Sequence, residues 1–209
     1  MIIQSLEKII EPQYKLSINS HDPKNNSIII KETQQDAKLR KVEINGFSSE
    51  KTYGFTLDVK VKNRVIFNCF NSGEPNINKV CDGIIFTEIE NKDYIFFCEL
   101  KSDRPQPISY LVQYQNSQLF VDYLINILNS FYLKGSKITP NYKYLLFCTD
   151  TKQDSKARIT TQPARLEGVK MRRNEDNGFE IPIYTIRRQI PKNRNTTNIS
   201  FDIKKILET

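Results

Sequence analysis

Residues 80–102 read VCDGIIFTEIENKDYIFFCELKS, two apolar runs separated by the polar tetrapeptide Glu90-Asn91-Lys92-Asp93. The runs Ile84-Ile85-Phe86 and Phe96-Phe97 predict a buried β-hairpin with the tetrapeptide at its tip. If Asn91 and Lys92 form the two-residue loop, Glu90 pairs with Asp93, Ile84 with Glu99, and Asp82 with Lys101. Side chains alternate along a strand, and directly opposed residues share a face. Asp82, Glu99 and Lys101 are therefore expected together on one face of the sheet. An odd-length loop or a bulge puts Asp82 on the other face.

Further elements follow on either side. Upstream, residues 3–10 have the make-up of a short helix, and 13–31 read as strand, polar loop, strand. Residues 33–42 are polar and read as a helix with few buried positions. YGFTLDVKV (53–61) alternates as a strand does, and VIFNCF (65–70) is a short apolar run. Downstream of Pro105 and Pro107, the apolar positions Leu111, Leu119, Val121, Leu124, Ile125, Leu128 and Phe131 recur at helical spacing, with Gly135 placed to end the helix. YKYLLFC (142–148) suits a buried strand, IPIYTIRR (181–188) another, and FDIKKILET a short terminal helix. Strands, then a long helix, then a strand indicate an α/β or α+β class: a mixed central β-sheet flanked by helices.

The chain of 209 residues suits a single domain, with 1–50 as an N-terminal elaboration, 53–150 as the core and 151–209 as a basic C-terminal part. Its composition, 38% hydrophobic and 26% charged, is that of a globular fold. No apolar run approaches the roughly 20 residues that cross a bilayer. The opening MIIQSLEKIIEPQY mixes charge into its apolar stretch, unlike a signal peptide. A cytoplasmic location without membrane attachment is the expectation. Cys69, Cys81, Cys98 and Cys148 form no CxxC pair and read as buried, reduced thiols. The single histidine, His21, lies in a polar segment. A single histidine so placed argues against Ser-His-Asp, Cys-His and paired-histidine zinc chemistry and points to carboxylates, lysines and tyrosines. Of the net charge of +7, residues 151–209 supply most, with 13 Lys and Arg against 7 Asp and Glu. Such asymmetry suggests a face for a polyanion.

Two neighbouring carboxylates repel unless a divalent cation lies between them. Mg²⁺ is typically held by one or two carboxylates and keeps waters for chemistry. It lowers the pKa of a bound water, and a lysine beside that water can orient it or stabilise charge developing on phosphorus. The [DE]xK tripeptide alone is uninformative: it starts at Asp22, Asp36, Asp58, Glu90, Glu99, Asp150, Asp154 and Asp202. Only Glu99 ends a strongly apolar strand, follows a strand with an acid near its start, and precedes a long amphipathic helix. Asp58-Val59-Lys60 is the rival, without a turn-linked upstream acid. The bland alternative for the Glu99 set is a cross-strand ion pair of Asp82 with Lys101.

An acid, sixteen intervening residues and ExK on a hairpin, with a helix and strand following, resemble the PD-(D/E)XK nuclease superfamily over about residues 55–148. The resemblance implies a restriction-endonuclease-like core and a metal-dependent endonuclease acting on DNA rather than RNA, with restriction or defence as the role to test. Its catalytic residues are then Asp82, Glu99 and Lys101, with Mg²⁺, or Mn²⁺ in its place, at Asp82, Glu99 and Leu100. Cys81 stands where the family has proline. A further acid on an upstream helix is common in the family, with Glu74 and Glu50 as candidates here. On the following helix, which offers Gln113, Gln115 and Gln118, the candidates for a glutamine near the site are Gln115 and Gln118, spaced i, i+3, and Ser102 is a minor candidate for a phosphate or metal-water contact. Arg165, Lys170, Arg172, Arg173, Arg187 and Arg188, together with Arg158, Lys192 and Arg194, would track a phosphate backbone. Cutting both strands of a duplex often needs two active sites, so a homodimer is also expected. The alternative is a non-catalytic nucleic-acid-binding protein on the same fold.

Overall fold

Along the chain run α1 (Ile2–Ile9), β1 (Ser17–Asn19), β2 (Asn26–Lys31), β3 (Leu39–Phe47), β4 (Thr52–Phe55), β5 (Gly83–Ile89), β6 (Lys92–Lys101), α2 (Pro107–Ile127), β7 (Asn141–Thr151), β8 (Arg165–Arg173), β9 (Glu180–Ile190), β10 (Thr197–Asp202) and α3 (Lys204–Leu207). The structure, a computed structural model, describes residues 2–19, 26–32, 34, 36–58, 74, 76–102, 105–133, 135, 137–151, 163–190 and 197–209. His21, Cys69, Arg158, Lys192, Arg194 and the run 65–70 lie outside the described residues.

Two mixed sheets form an α+β architecture. The six-stranded sheet has the order β4-β5-β6-β7-β9-β8, and the four-stranded sheet the order β1-β2-β3-β10. In the larger sheet β4, β5 and β6 form an antiparallel meander, β7 runs parallel to β6 after the α2 crossover, and β9 runs parallel to β7. The expected 80–102 hairpin is present, but its loop residues are Glu90 and Asn91, so that Ile89 pairs with Lys92 and Ile84 with Phe97. Both loop residues adopt left-handed backbone, φ 52° and 59°, as a two-residue turn matched to strand twist demands. The pairing expected from Asn91-Lys92 is therefore displaced by two residues. An even shift returns every side chain to the face it was assigned.

Each sheet face is covered by a different layer. On one side Ile84, Phe86, Ile95, Phe97, Tyr144 and Leu146 pack against Leu6 of α1 and against Leu111, Tyr114, Val121 and Leu124 of α2. On the other, Ile85, Phe96, Cys98, Leu145 and Phe147 meet Ile28, Ile30, Val42, Ile44, Ile199 and Phe201 of the smaller sheet. Of the sheet expected to be flanked by helices, one face is covered by α1 and α2 and the other by the smaller sheet, with Ile206 of the short α3 joining that second layer. The helix expected over 33–42 is corrected. Leu39, Val42, Ile44 and Phe47 are buried positions of β3, and burying them against the larger sheet outweighs the polar content of their surroundings.

The long helix ends as α2 at Ile127 and passes into a π-turn over Leu128–Tyr132. Gly135 follows with φ 84°. The basic segment after β7 contains a strand, β8, at the edge of the sheet. Its charged, alternating side chains fit an edge position. Cys81, Cys98 and Cys148 are free and buried, as expected. Among the described residues no helix is long and apolar enough to cross a membrane.

Candidate active site

Where β5 begins and β6 ends, the larger sheet opens into a cleft of about 410 Å³. Asp82, Glu99, Leu100, Lys101, Ser102 and Gln113 line it, with Glu32, Gln34, Asp36, Ala37, Asp58, Asn78, Lys79 and Val80 completing the wall. Strand alternation brings Glu99 and Lys101 to the same face as the helix layer, at the end of the buried run Ile95–Phe97. Asp82 sits one residue before β5. It is held there because Gly83 lies under the smaller sheet: a Cβ at Gly83 would meet Ile30 Cδ1 at 2.7 Å and Leu16 Cδ1 at 3.3 Å. The close approach of Ile30 and Leu16 thus requires glycine at the position next to Asp82.

Asp82 Oδ2 accepts a hydrogen bond from the Leu100 backbone N–H at 2.6 Å. Backbone N–H and C=O of one strand residue point to the same edge, so the Leu100 carbonyl also faces the side where β5 has ended. Glu99 is 1% exposed, and its Oε1 lies 2.6 Å from Lys101 Nζ in an ion pair. That contact falls outside ideal hydrogen-bond alignment; Lys101 and, more weakly, the Gln113 amide are the donors facing the carboxylate, and neither meets it squarely. Lys101 Nζ donates to Gln113 Oε1 at 2.9 Å, and Gln113 Nε2 donates to the Val80 carbonyl at 3.0 Å. The lysine is therefore aimed from both sides, by Glu99 and by a glutamine anchored to the residue two before Asp82.

Electrostatics mark the two acids as unusual. Burial pushes the Glu99 carboxyl well above the ordinary range, and the nearby Asp82 adds to the rise, while Lys101 and Gln113 oppose it. Asp82 is raised to about 7, chiefly by desolvation, with the Leu100 N–H and Lys101 opposing and Glu32 and Asp58 adding. Cys81, where the family resemblance has proline, has its thiol pushed up by burial and is not a nucleophile. Its backbone N–H donates to Ser117 Oγ of α2 at 2.9 Å and so fixes the loop that carries Asp82.

The structure brings together Asp82, Glu99, Leu100 and Lys101 and separates them from several other candidates. Of the helix glutamines, Gln113 reaches the cleft. Gln115 instead accepts from Asn177 Nδ2 at 2.8 Å, and Gln118 from the Tyr144 hydroxyl at 2.6 Å. At about 100° per residue, positions two and five along the helix point to other sides. Ser102 lines the cleft, but its Oγ accepts the Lys38 and Leu39 backbone N–H groups at 2.8 and 3.2 Å. It fastens β3 to the end of β6. Neither Glu74 nor Glu50 lines the cleft; Glu50 borders a second cleft at the hairpin-tip end of the sheet.

Among the basic residues, Arg187 is engaged by Glu167 at 3.0 Å and Asp150 at 3.6 Å, and Arg188 donates to the Asn198 carbonyl. Arg172 bonds the Tyr110 hydroxyl in the first turns of α2. Arg165, Lys170 and Arg173 are exposed along β8. Sequence reasoning missed Glu32 and Asp36 as cleft residues and set Asp58 aside as a rival tripeptide, although it shares this cleft. No local pattern marks them. They arrive through the contact between the sheets and the end of β4.

Whether these residues suit a divalent cation can be tested on the donors themselves. Glu99 Oε2 is a buried oxygen without a squarely aligned donor, beside a second carboxylate, Asp82, that disfavours its ionisation. Among the described residues no three His, Cys, Asp or Glu side chains converge closely enough to hold a metal. Two carboxylates and a backbone carbonyl nevertheless fit Mg²⁺, which keeps several waters of its own. No family model, curated protein or solved structure matches the chain.

Proposed function

We propose that the chain is a divalent-metal-dependent nuclease of the PD-(D/E)XK kind, hydrolysing phosphodiester bonds of DNA, as restriction- or defence-type endonucleases do. One observation carries the reading. The nearly inaccessible Glu99 turns a carboxylate oxygen without a squarely aligned donor into a cleft that also contains Asp82 and the clamped ammonium of Lys101. Leaving a charged group buried without adequate compensation costs several kcal/mol, a cost that a cation would offset. The order β4-β5-β6-α2-β7, with β7 parallel to β6 and α1 packed on the same face as α2 although β1–β3 intervene in the chain, supports the restriction-endonuclease-like core as the finer description of the fold.

Asp82, Glu99 and the Leu100 carbonyl would hold the cation. Mg²⁺ or Mn²⁺ bound there supplies a Lewis acid and a water acidified toward neutral pH. Lys101, oriented by Glu99 and Gln113, points its ammonium into the cleft, where it can align the attacking water and stabilise charge building on the phosphoryl oxygens. The cleft carries five carboxylates, Glu32, Asp36, Asp58, Asp82 and Glu99, against Lys79 and Lys101. A phosphate backbone entering such a space without a cation meets net repulsion. The exposed cations of β8, Arg165, Lys170 and Arg173, lie outside the cleft and suit positioning contacts to the backbone.

The test is cleavage of supercoiled plasmid and of single-stranded DNA with Mg²⁺, Mn²⁺ or a chelator. Metal-dependent cleavage that disappears in Glu99→Gln and in Lys101→Met is expected. Cleavage retained in either variant would move the active site elsewhere. The 2.6 Å Glu99–Lys101 pair favours the second reading, a non-catalytic nucleic-acid-binding protein in which the lysine replaces the metal. It predicts salt-sensitive binding without cleavage under any divalent ion.

A further inference from the structure

The second cleft, of about 450 Å³, opens at the tip of the β5–β6 hairpin, and its volume lies within the range of small-molecule sites, about 300–1,000 Å³. On β6, Asp93 precedes Glu99 by about 20 Å at the rise of a strand, so this space is separate from the acidic cleft. Its floor is Phe86 and Ile95, both buried. Ile2 and Ile3 of α1, with Leu133 and Ile138 beyond the π-turn, complete the apolar lining. Glu88 and Asp93 are direct cross-strand partners, and alternation puts them on the face of Phe86 and Ile95. Like charges so opposed are unfavourable unless compensated. Lys51 pairs with Glu88. The Asp93 carbonyl accepts from Asn141 Nδ2 at 3.2 Å, while its half-buried carboxylate meets no cation or donor among the described residues. Burial and Glu88 both push that carboxyl above its ordinary range, as befits an acid short of a counter-charge.

We propose that this cleft binds a small organic amine, its ammonium paired with Asp93 and its hydrocarbon part lying over Phe86 and Ile95. Charge and surface together select that class. The lining acids Glu50, Glu88 and Asp93 outnumber Lys51 and Lys137, which disfavours phosphates and carboxylates even in a chain of net charge +7. A divalent metal ion fits poorly. Mg²⁺ keeps several waters and seeks oxygen ligands, and the floor offers phenyl and alkyl groups instead. An ammonium on a hydrocarbon body meets both demands. It supplies Asp93 with a charge-assisted hydrogen bond, and the body removes the apolar floor from water. An apolar cleft with a few placed polar groups is the usual make-up of a small-molecule site. This inference rests on the hairpin tip, and neither on the metal nor on the nucleic-acid reading of the other cleft.

A ligand-detected NMR titration of the full chain, in chelator and without nucleic acid, tests it with phenethylamine and hexylamine as probes, each against its alcohol. At about pH 8 both amines are protonated. Saturable binding with Kd on the order of 1 mM is expected for the amines, and binding about tenfold weaker for the alcohols. Asp93→Asn removes a like charge facing Glu88 and is expected to fold; it should weaken the amines about tenfold and leave the alcohols unchanged. Ile3→Trp, which fills the apolar lining, should weaken amines and alcohols alike and serves as the independent variant. Glu99→Gln, in the other cleft, should change neither, whatever becomes of the nuclease reading. Amines that bind no more tightly than their alcohols overturn the inference, as does amine affinity undiminished in folded Asp93→Asn or lost in Glu99→Gln. So does the absence of binding by both amines at about 10 mM.

Discussion

Glu99→Gln separates a cation site from a structural ion pair, because the two readings assign opposite signs to the same substitution. The amide keeps the shape of the side chain and an acceptor for Lys101, and it removes only the charge. Glu99 is 1% exposed while Lys101 is 26% exposed and also bonded to Gln113, so the lysine is not stranded by the change. Replacing buried ion pairs with neutral groups is often neutral or stabilising by about 1–4 kcal/mol. With one half-open charge retained here, about 1–2 kcal/mol is expected in chelator at pH 8. For a domain of this size that raises Tm by about 2–8 °C. Saturating Mg²⁺ reverses the order. At a hundred times Kd a ligand specific to the native state contributes about 2.7 kcal/mol, which raises the wild-type Tm by about 5–11 °C at about 2–4 °C per kcal/mol. The variant should not respond. Differential scanning fluorimetry in chelator and across a Mg²⁺ titration reads both effects. A variant that melts below the wild type in chelator, yet keeps the full Mg²⁺ shift, would refute the reasoning.

Three other outcomes are expected. Asp82 has its pKa raised from 3.8 to about 7, so its contribution to metal-free stability is complete below about pH 3.8 and is lost as pH rises through 7. Mg²⁺ affinity runs the opposite way, rising about tenfold per pH unit for each displaced proton; melting curves at pH 5.5, 7 and 8.5 should show both trends in the wild type and weaker ones in Asp82→Asn, where the raised Glu99 carboxyl still titrates. Lys101→Met leaves Glu99 without its cation and should lower metal-free stability by about 3 kcal/mol while preserving the Mg²⁺ shift, and loss of that shift would make the lysine part of the binding site. Gly83→Ala pushes against Ile30 at 2.7 Å and should cost about 1–2 kcal/mol by overpacking, seen as a lower urea midpoint; an unchanged midpoint would mean that the two sheets part without cost.

How much of this was legible in the sequence depended on the range of the interaction. The hairpin, α2 and β7 are local patterns of apolar residues, and each is found where the pattern put it. The face shared by Asp82, Glu99 and Lys101 was deduced from the wrong two loop residues. It holds because the displacement is even. Nothing in Glu90-Asn91-Lys92-Asp93 states which pair takes left-handed backbone, since none of the four is glycine. Gln113 was one of three glutamines, and choosing it requires the rotational phase of the helix, which Tyr114, Ser117 and Val121 report once their burial is known. Glu32, Asp36 and Asp58 were beyond reach. They are brought to the cleft by packing between sheets and by the pairing of β3 with β10, residues more than 150 positions apart.

That pairing sets a sequence of events for the newborn chain. Lys38 is gripped twice: its N–H donates to Ser102 Oγ at the rim of the cleft, and its carbonyl accepts from Thr197 N–H at 2.7 Å. The acidic wall formed by Glu32 and Asp36 is thus tethered to β10, made long after β3. During synthesis the hairpin bearing Glu99 can collapse early, but the cleft around it gains its final side only when residues 197–202 leave the ribosome and slot in beside β3. Long-range strand pairing of this kind is slow, so this wall of the cleft is set only after the hairpin that it faces.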